Sequence, residues 1–376
     1  MRKRLWGCGI GGMSVAGIAV TLWFLSIDRL NLVDRSTRIT SVHGWGMERP
    51  DLNLPARFYD FMGGGAQYQW VGDRQVLFFH GLVPIQAINT GSPTRPHYSL
   101  SWPDSVGTPT LYDVATHREI PMPNLAEFFR HTQGKAENAT VSPDGSRMLW
   151  NANDAHFYSA LLDGTQHAQM VNDGHFEMGW PPDRKRFYTY TSSEDDHKNG
   201  VIALHLWDAQ TGDYLTERQF AQPKNYELMG DCALLPDGGL ATNNMQFNHP
   251  ALLLYHISAP PHSMVRTVTP KLPSDAQVEA LVYSPQGDRL AWIMTRSRPS
   301  SLSFLHRLLP HFNPLPIRTT SLWVSGAMGE NLHEIGHIPV RSGGRQFYLI
   351  DYVRWQPDEK TLSFVSKDVL YTVPAH

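Results

Sequence analysis

The sequence predicts an all-β fold, a six-bladed β-propeller preceded by one N-terminal transmembrane helix. Three observations carry this expectation. A short phrase, apolar strand then Pro-Asp-Gly turn then apolar strand, returns six times. Segments of a second strand-turn-strand type lie between the copies. An uncharged apolar run follows a basic tip at the N-terminus.

The clearest copy of the phrase is Val141-Ser142-Pro143-Asp144-Gly145-Ser146-Arg147-Met148-Leu149-Trp150. Others centre on Pro182-Asp183, Pro236-Asp237-Gly238, Pro285-Gln286-Gly287 and Pro357-Asp358, with a weaker one at Gly72-Asp73. Pro presets the second turn position, Asp bonds its own backbone, and Gly tolerates positive φ. Between β-branched and aromatic runs such a turn predicts a hairpin. One hairpin cannot bury its apolar face. Repetition at a period of tens of residues solves this by radial stacking, which leaves only short edges.

The copies resemble the TolB-like, WD40-like propeller repeat, and the resemblance covers roughly residues 55–376. Ser321–Leu332, Leu204–Gly212 and Thr110–Thr116 match the second half of that repeat. The resemblance implies fold and says almost nothing of activity.

Arg2, Lys3 and Arg4 precede the apolar run Leu5–Leu25. At ~1.5 Å per residue the run spans about 30 Å, enough for a bilayer core. Trp6 and Trp23 stand where interfacial aromatics are expected, and the basic tip favours a cytoplasmic N-terminus. A membrane anchor over 1–27 is therefore expected. A cleaved signal peptide is the rival, but no good small-x-small site follows Leu25. Either reading exports the rest. The expected location is the inner membrane, single-pass, with the propeller on the periplasmic side. Cys8 and Cys232 are the only cysteines, so no internal disulfide is expected.

Residues 28–54 read as a stalk and 55–376 as the propeller. The C-terminus ends at Val369–Val373, one strand short of a full repeat. A strand from the stretch ending at Ala66 would close the ring and remove the open edge.

Three connections between second and third strands are long: 82–107, 192–200 and 297–319. All would rise from one face, where binding groups concentrate on rigid scaffolds. Neutral drift in loop length explains them equally. Asp195, Asp196 and His197 belong to this loop face. Within the third loop, Leu302, Leu305, Leu308 and Leu309 fall at helical spacing and predict a short lid helix stopped by Pro310.

His333-Glu334-Ile335-Gly336-His337 fits the H-E-x-x-H zinc signature by letter. That signature needs a helix, and the repeat places a strand here. On a strand, i and i+4 are about 13 Å apart, too far to share a metal. Zinc catalysis is therefore rejected.

Counting back five or six residues from each phrase's proline reaches the start of the innermost strand. Glu137, Glu177, Asp231, Glu279 and Asp351 stand there, with Gln67 in the first blade. Five carboxylates near one channel mouth would attract Ca²⁺, another divalent cation or an amine-bearing ligand. Strand starts are also often polar, with each group separately solvated. No cofactor is otherwise indicated.

The net charge of −3 and an 18% charged fraction suggest no polyanion partner, so no nucleic acid is expected. Serine-nucleophile, phosphate-loop and dinucleotide motifs are missing. The expected function is non-catalytic recognition in the cell envelope, binding a protein or small-molecule ligand on the loop-rich face. The alternative is a metal-dependent lactonase- or lyase-like enzyme with its site at the channel mouth, with Glu177, Asp231 and Asp351 as nearest candidates.

Overall fold

The computed structural model describes residues 31–45, 68–80, 86–89, 98–101, 107–134, 139–152, 156–171, 177–181, 185–194, 200–222, 232–244, 252–259, 264–298, 317–340 and 350–376. Helix α1 (Leu32–Arg35) and strand β1 (Thr37–Ser41) come first. Blade one is β2 (Tyr68–Val71), β3 (Gln75–His80), β6 (Thr108–Asp113) and β7 (Arg118–Pro121). A separate hairpin of β4 (Gln86–Asn89) and β5 (Tyr98–Ser101) interrupts it. Helix α2 (Pro123–His131) leads to blade two, formed by β8 (Thr140–Val141), β9 (Arg147–Asn151), β10 (His156–Leu161) and β11 (Ala168–Val171). Blade three is β12 (Glu177–Gly179), β13 (Arg186–Glu194), β14 (Gly200–Asp208) and β15 (Tyr214–Ala221). Blade four is β16 (Cys232–Leu234), β17 (Leu240–Asn244), β18 (Leu253–Ile257) and β19 (Val265–Val268). Blade five is β20 (Ala276–Tyr283), β21 (Arg289–Arg298), β22 (Ile317–Gly326) and β23 (His333–Val340). Blade six is β24 (Asp351–Trp355), β25 (Thr361–Ser366) and β26 (Val369–Pro374), completed by β1.

The six phrases are the six hairpins that join each innermost strand to the next. In the clearest copy, Gly145 takes φ +71° and the Asp144 carboxylate accepts from the Ser146 N–H at 3.0 Å. Proline, aspartate and glycine thus do here what their chemistry predicts.

The blades pack through aromatic residues. Trp150 and Trp292 are fully buried. Their indole N–H groups donate to the Thr132 and Ser325 hydroxyls at 2.9 and 2.8 Å. Trp70 and Trp207 do the same to Ser363 and Thr189. Burial of a large ring is favourable only when its polar handle is satisfied, and these hydroxyls satisfy it. Neighbouring blades are also stitched by hydrogen bonds. The Gln69 amide donates to the Ala139 carbonyl and accepts from the Val141 N–H at 2.6 Å. Tyr188 donates to the Cys232 carbonyl, and Trp355 to the Val282 carbonyl.

The ring is closed by an N-terminal strand, but from a different place than expected. Strand β1 pairs antiparallel with β26, from Thr37↔Thr372 to Ser41↔Val369. It lies within the stretch read as a stalk. The whole segment 31–45 laces three blades. Asn31 bridges His337 in blade five, and Leu32 is fully buried in the core shared by blades five and six. Val42 and Trp45 join the core between blades six and one, where Trp45 stacks on Phe78 at 4.1 Å.

Helix α2 has no counterpart in the sequence reading. Proline in its first turn and Arg130 and His131 in its last suit a helix. Leu125, Ala126 and Phe129 are buried, Leu125 and Phe129 in the core shared by blades one and two, and Phe129 packs on Trp150.

The expected membrane anchor is corrected. Among the described residues no helix is long and apolar enough to cross a membrane. Helix α1 is a single turn of four residues. The single-pass inner-membrane placement and the membrane attachment are withdrawn with it. Residues 1–27, where the anchor was expected, lie outside the described residues, as does the expected lid helix around 302–309.

Candidate functional site at the channel mouth

Adjacent strands in each blade run antiparallel. The start of the innermost strand therefore shares a face with the connection between the second and third strands. On this face the described strands of two blades reach further than those of the rest. Strands β13 and β14 have nine residues each, and β21 and β22 have ten. The corresponding pairs elsewhere have five or six. Their last rungs are Glu194↔Gly200 and Arg298↔Ile317. Residues 192–194 and Gly200 of the expected loop at 192–200 are thus strand, as are both ends of 297–319. Backbone pairing continues because Ser, Thr and Val on both sides suit an extended chain.

Glu177 opens β12 and pairs with Tyr190, eight residues after Pro182. Asp351 opens β24 and pairs with Val365, eight residues after Pro357. Glu279 lies inside β20, between the rungs Val278↔Met294 and Ala280↔Ile293. Ile293 also stands eight residues after Pro285. The three carboxylate residues are therefore level. Glu177 precedes its proline by five residues, whereas Glu279 and Asp351 precede theirs by six. The extra residue in blades five and six is taken up by a bulge in each innermost strand. Bulges re-aim side chains and are common beside active sites.

The bulge in blade six has a second mark. Tyr352, next to Asp351, takes φ +50°, a left-handed conformation uncommon for a bulky residue. Its carbonyl accepts a hydrogen bond from the Tyr68 hydroxyl. Burial pushes the Tyr68 pKa far above the ordinary tyrosine value, against the Ser363 hydrogen bond and the Arg354 charge, which lower it. Tyr68 is thus a neutral donor. Arg354 is exposed on the same strand, three residues after Asp351.

Glu137 and Asp231 lie outside the described residues, as do Asp195, Asp196 and His197 of the expected loop face. Among the described residues no three His, Cys, Asp or Glu side chains form a group that could hold a metal ion. His333–His337 lie on strand β23, not on a helix. An open hollow of about 610 Å³ lies instead at the rim, lined by Glu217, Arg218, Gln219, Asp237, Gly238 and Ala259. It lies between the outermost strand of blade three and the Asp237-Gly238 turn that follows the innermost strand β16 of blade four.

Sequence reasoning missed Tyr352, Arg354 and the two bulges. The six-residue spacing to Pro285 and Pro357, against five for Pro182, was the available signal.

These features define a six-bladed β-propeller with level carboxylate positions at one mouth. No family model matches the chain, and no curated protein matches it. The fold is shown, whereas the narrower TolB-like membership is not. Among solved structures, the oligogalacturonate lyase of Vibrio parahaemolyticus is 11% identical, with 90% of this chain and 93% of that one covered and a TM-score of 0.45. An oligogalacturonate lyase in complex with manganese is 12% identical, covering 82% and 96%, with a TM-score of 0.39. A protein of unknown function from Bacteroides thetaiotaomicron is 10% identical, covering 90% and 75%, with a TM-score of 0.43. The likeness extends no further than the fold. Two of these structures are oligogalacturonate lyases, and the expectation that this propeller is non-catalytic is not kept.

Proposed function

We propose that this propeller is an enzyme that takes a small molecule at the mouth where its innermost strands begin, with lyase-like or lactonase-like chemistry. The observation that supports this most is the shared level of Glu177, Glu279 and Asp351 beneath the tall hairpins of blades three and five. Tall walls around a mouth limit water and orient a ligand. Both reaction types need a general base, to remove a carbon-bound proton or to activate water, and a carboxylate serves for either. Arg354 would pair with an anionic group of the ligand.

The test is steady-state turnover of a panel of lactones and uronate oligosaccharides by the wild type, Glu279→Gln and Asp351→Asn. A general base contributes about 10²–10⁴-fold. The proposal expects turnover of at least one panel member and a loss of that order in a variant whose melting is unchanged. No turnover across the panel, or full turnover in both variants, would overturn it.

A further inference from the structure

The motif His333-Glu334-Ile335-Gly336-His337 is not explained by the mouth. On a regular strand Glu334 and His337 would lie on opposite faces. Here β23 slips by one residue, pairing Trp323 with Glu334 and Leu322 with Gly336. Ile335 is the extra residue, so Glu334 and His337 come to one face. The His337 Nδ1 lies 2.6 Å from Glu334 Oε1, with the two side chains 2% and 10% exposed. Such a separation is that of a charge-assisted bond.

The pair stands under the segment that closes the ring. Asn31 forms a parallel backbone bridge with His337 itself. Arg35 of α1 donates to the Ile335 carbonyl, the bulged residue between the pair. Leu32 is fully buried beside Ile335 and Ile338. Among the described residues, Arg296 of β21 lies 3.5 Å from Glu334, and Asp275 holds Arg296 at 2.8 Å. Asp34 and Arg35 belong to α1, and His333 on β23 is bonded to the Asn331 carbonyl.

We propose that Glu334 and His337 form a proton-sensitive latch for the N-terminal strap 31–36. Histidine is the side chain whose ordinary titration falls between pH 5 and 8. The ion pair exists while His337 carries its proton. Its contribution to strap docking is therefore full on the acid side of the histidine titration and is lost as pH rises through it. The bulge links the two events, because His337 both carries the pair and bridges Asn31, while Ile335 between the paired residues accepts from Arg35.

The experiment is site-resolved hydrogen exchange on the full chain between pH 5.5 and 8.5, corrected for intrinsic rates, for the wild type, Glu334→Gln and His337→Gln. Amides of 32–36 in the wild type are expected to lose protection severalfold as pH rises. Glu334→Gln flattens that dependence while β22 and the blade-four strands keep theirs. The second variant guards against a misfolded first one, since protection of β21 and β22 reports folding in each. Strap protection that does not change with pH in the wild type, or changes equally in folded Glu334→Gln, would overturn the latch.

Discussion

The Tyr68 hydroxyl of blade one donates to the carbonyl of Tyr352 in blade six at 2.7 Å, across the seam where the ring closes. The same oxygen lies 2.9 Å from the Ser363 hydroxyl, from which it accepts, and Ser363 in turn accepts from the Trp70 indole. One buried phenol thus ties the first blade to the last and holds the backbone beside Asp351. Removing it leaves the Tyr352 carbonyl without this donor. Tyr68→Phe is expected to cost about 1–3 kcal/mol, read from urea unfolding.

The same residue sets an alkaline limit. Folding raises the Tyr68 pKa, through burial foremost, so the native state keeps the proton where the unfolded chain loses it. The unfolded state ionises near pH 10. Stability therefore falls as pH rises above about 10, and Tyr68→Phe loses less over that interval. Urea midpoints at pH 8 and pH 11 for both proteins check this.

Asp144 gives the opposite slope. Partial burial pushes its pKa up, but the Ser142 hydroxyl and the Ser146 N–H and hydroxyl outweigh this and hold it below the ordinary value. A depressed carboxylate stabilises above its unfolded value, and the effect is lost as pH falls through the folded one. Asp144→Ala should cost about 1 kcal/mol at pH 7 and less at strongly acidic pH, measured by denaturant unfolding.

Trp45 anchors the strap on blade one. It is 4% exposed, stacks on Phe78 and tilts against Tyr112 at 5.5 Å. Trp45→Ala should cost about 3–5 kcal/mol. Trp45→Phe, which keeps a ring on Phe78, should cost much less.

Arg289 ties blade five to the C-terminus. Its guanidinium lies 4.9 Å from the Trp355 ring centroid and donates to the Glu359 and Ala375 carbonyls. Lysine cannot reproduce the planar fork. Arg289→Lys is expected to lower stability by about 1–2 kcal/mol, visible as a lower melting temperature.

The blade count was legible because Pro143-Asp144-Gly145 and its copies are local chemistry repeated. Closure by an N-terminal strand was legible from the missing strand after Val373, but its position was not. Thr37–Ser41 carries no turn signal of its own, and its pairing with β26 is decided by packing of Leu32, Val42 and Trp45 far along the chain. Helix α2 was missed because its apolar face, Leu125 and Phe129, is short and set between strands. At the site, the positions Glu177, Glu279 and Asp351 follow from counting back from the turns. The bulges and the left-handed Tyr352 do not, since they arise from tertiary contacts such as that with Tyr68.

On the proposed function, a small molecule is taken at the mouth over Glu177, Glu279 and Asp351. The most direct test is hydrogen exchange of the full chain with and without the panel compound that gives the largest thermal shift. The account predicts new protection in 177–179, 276–283 and 351–355. Protection confined to the rim at 214–221 and 237–238, or none at all, would contradict it.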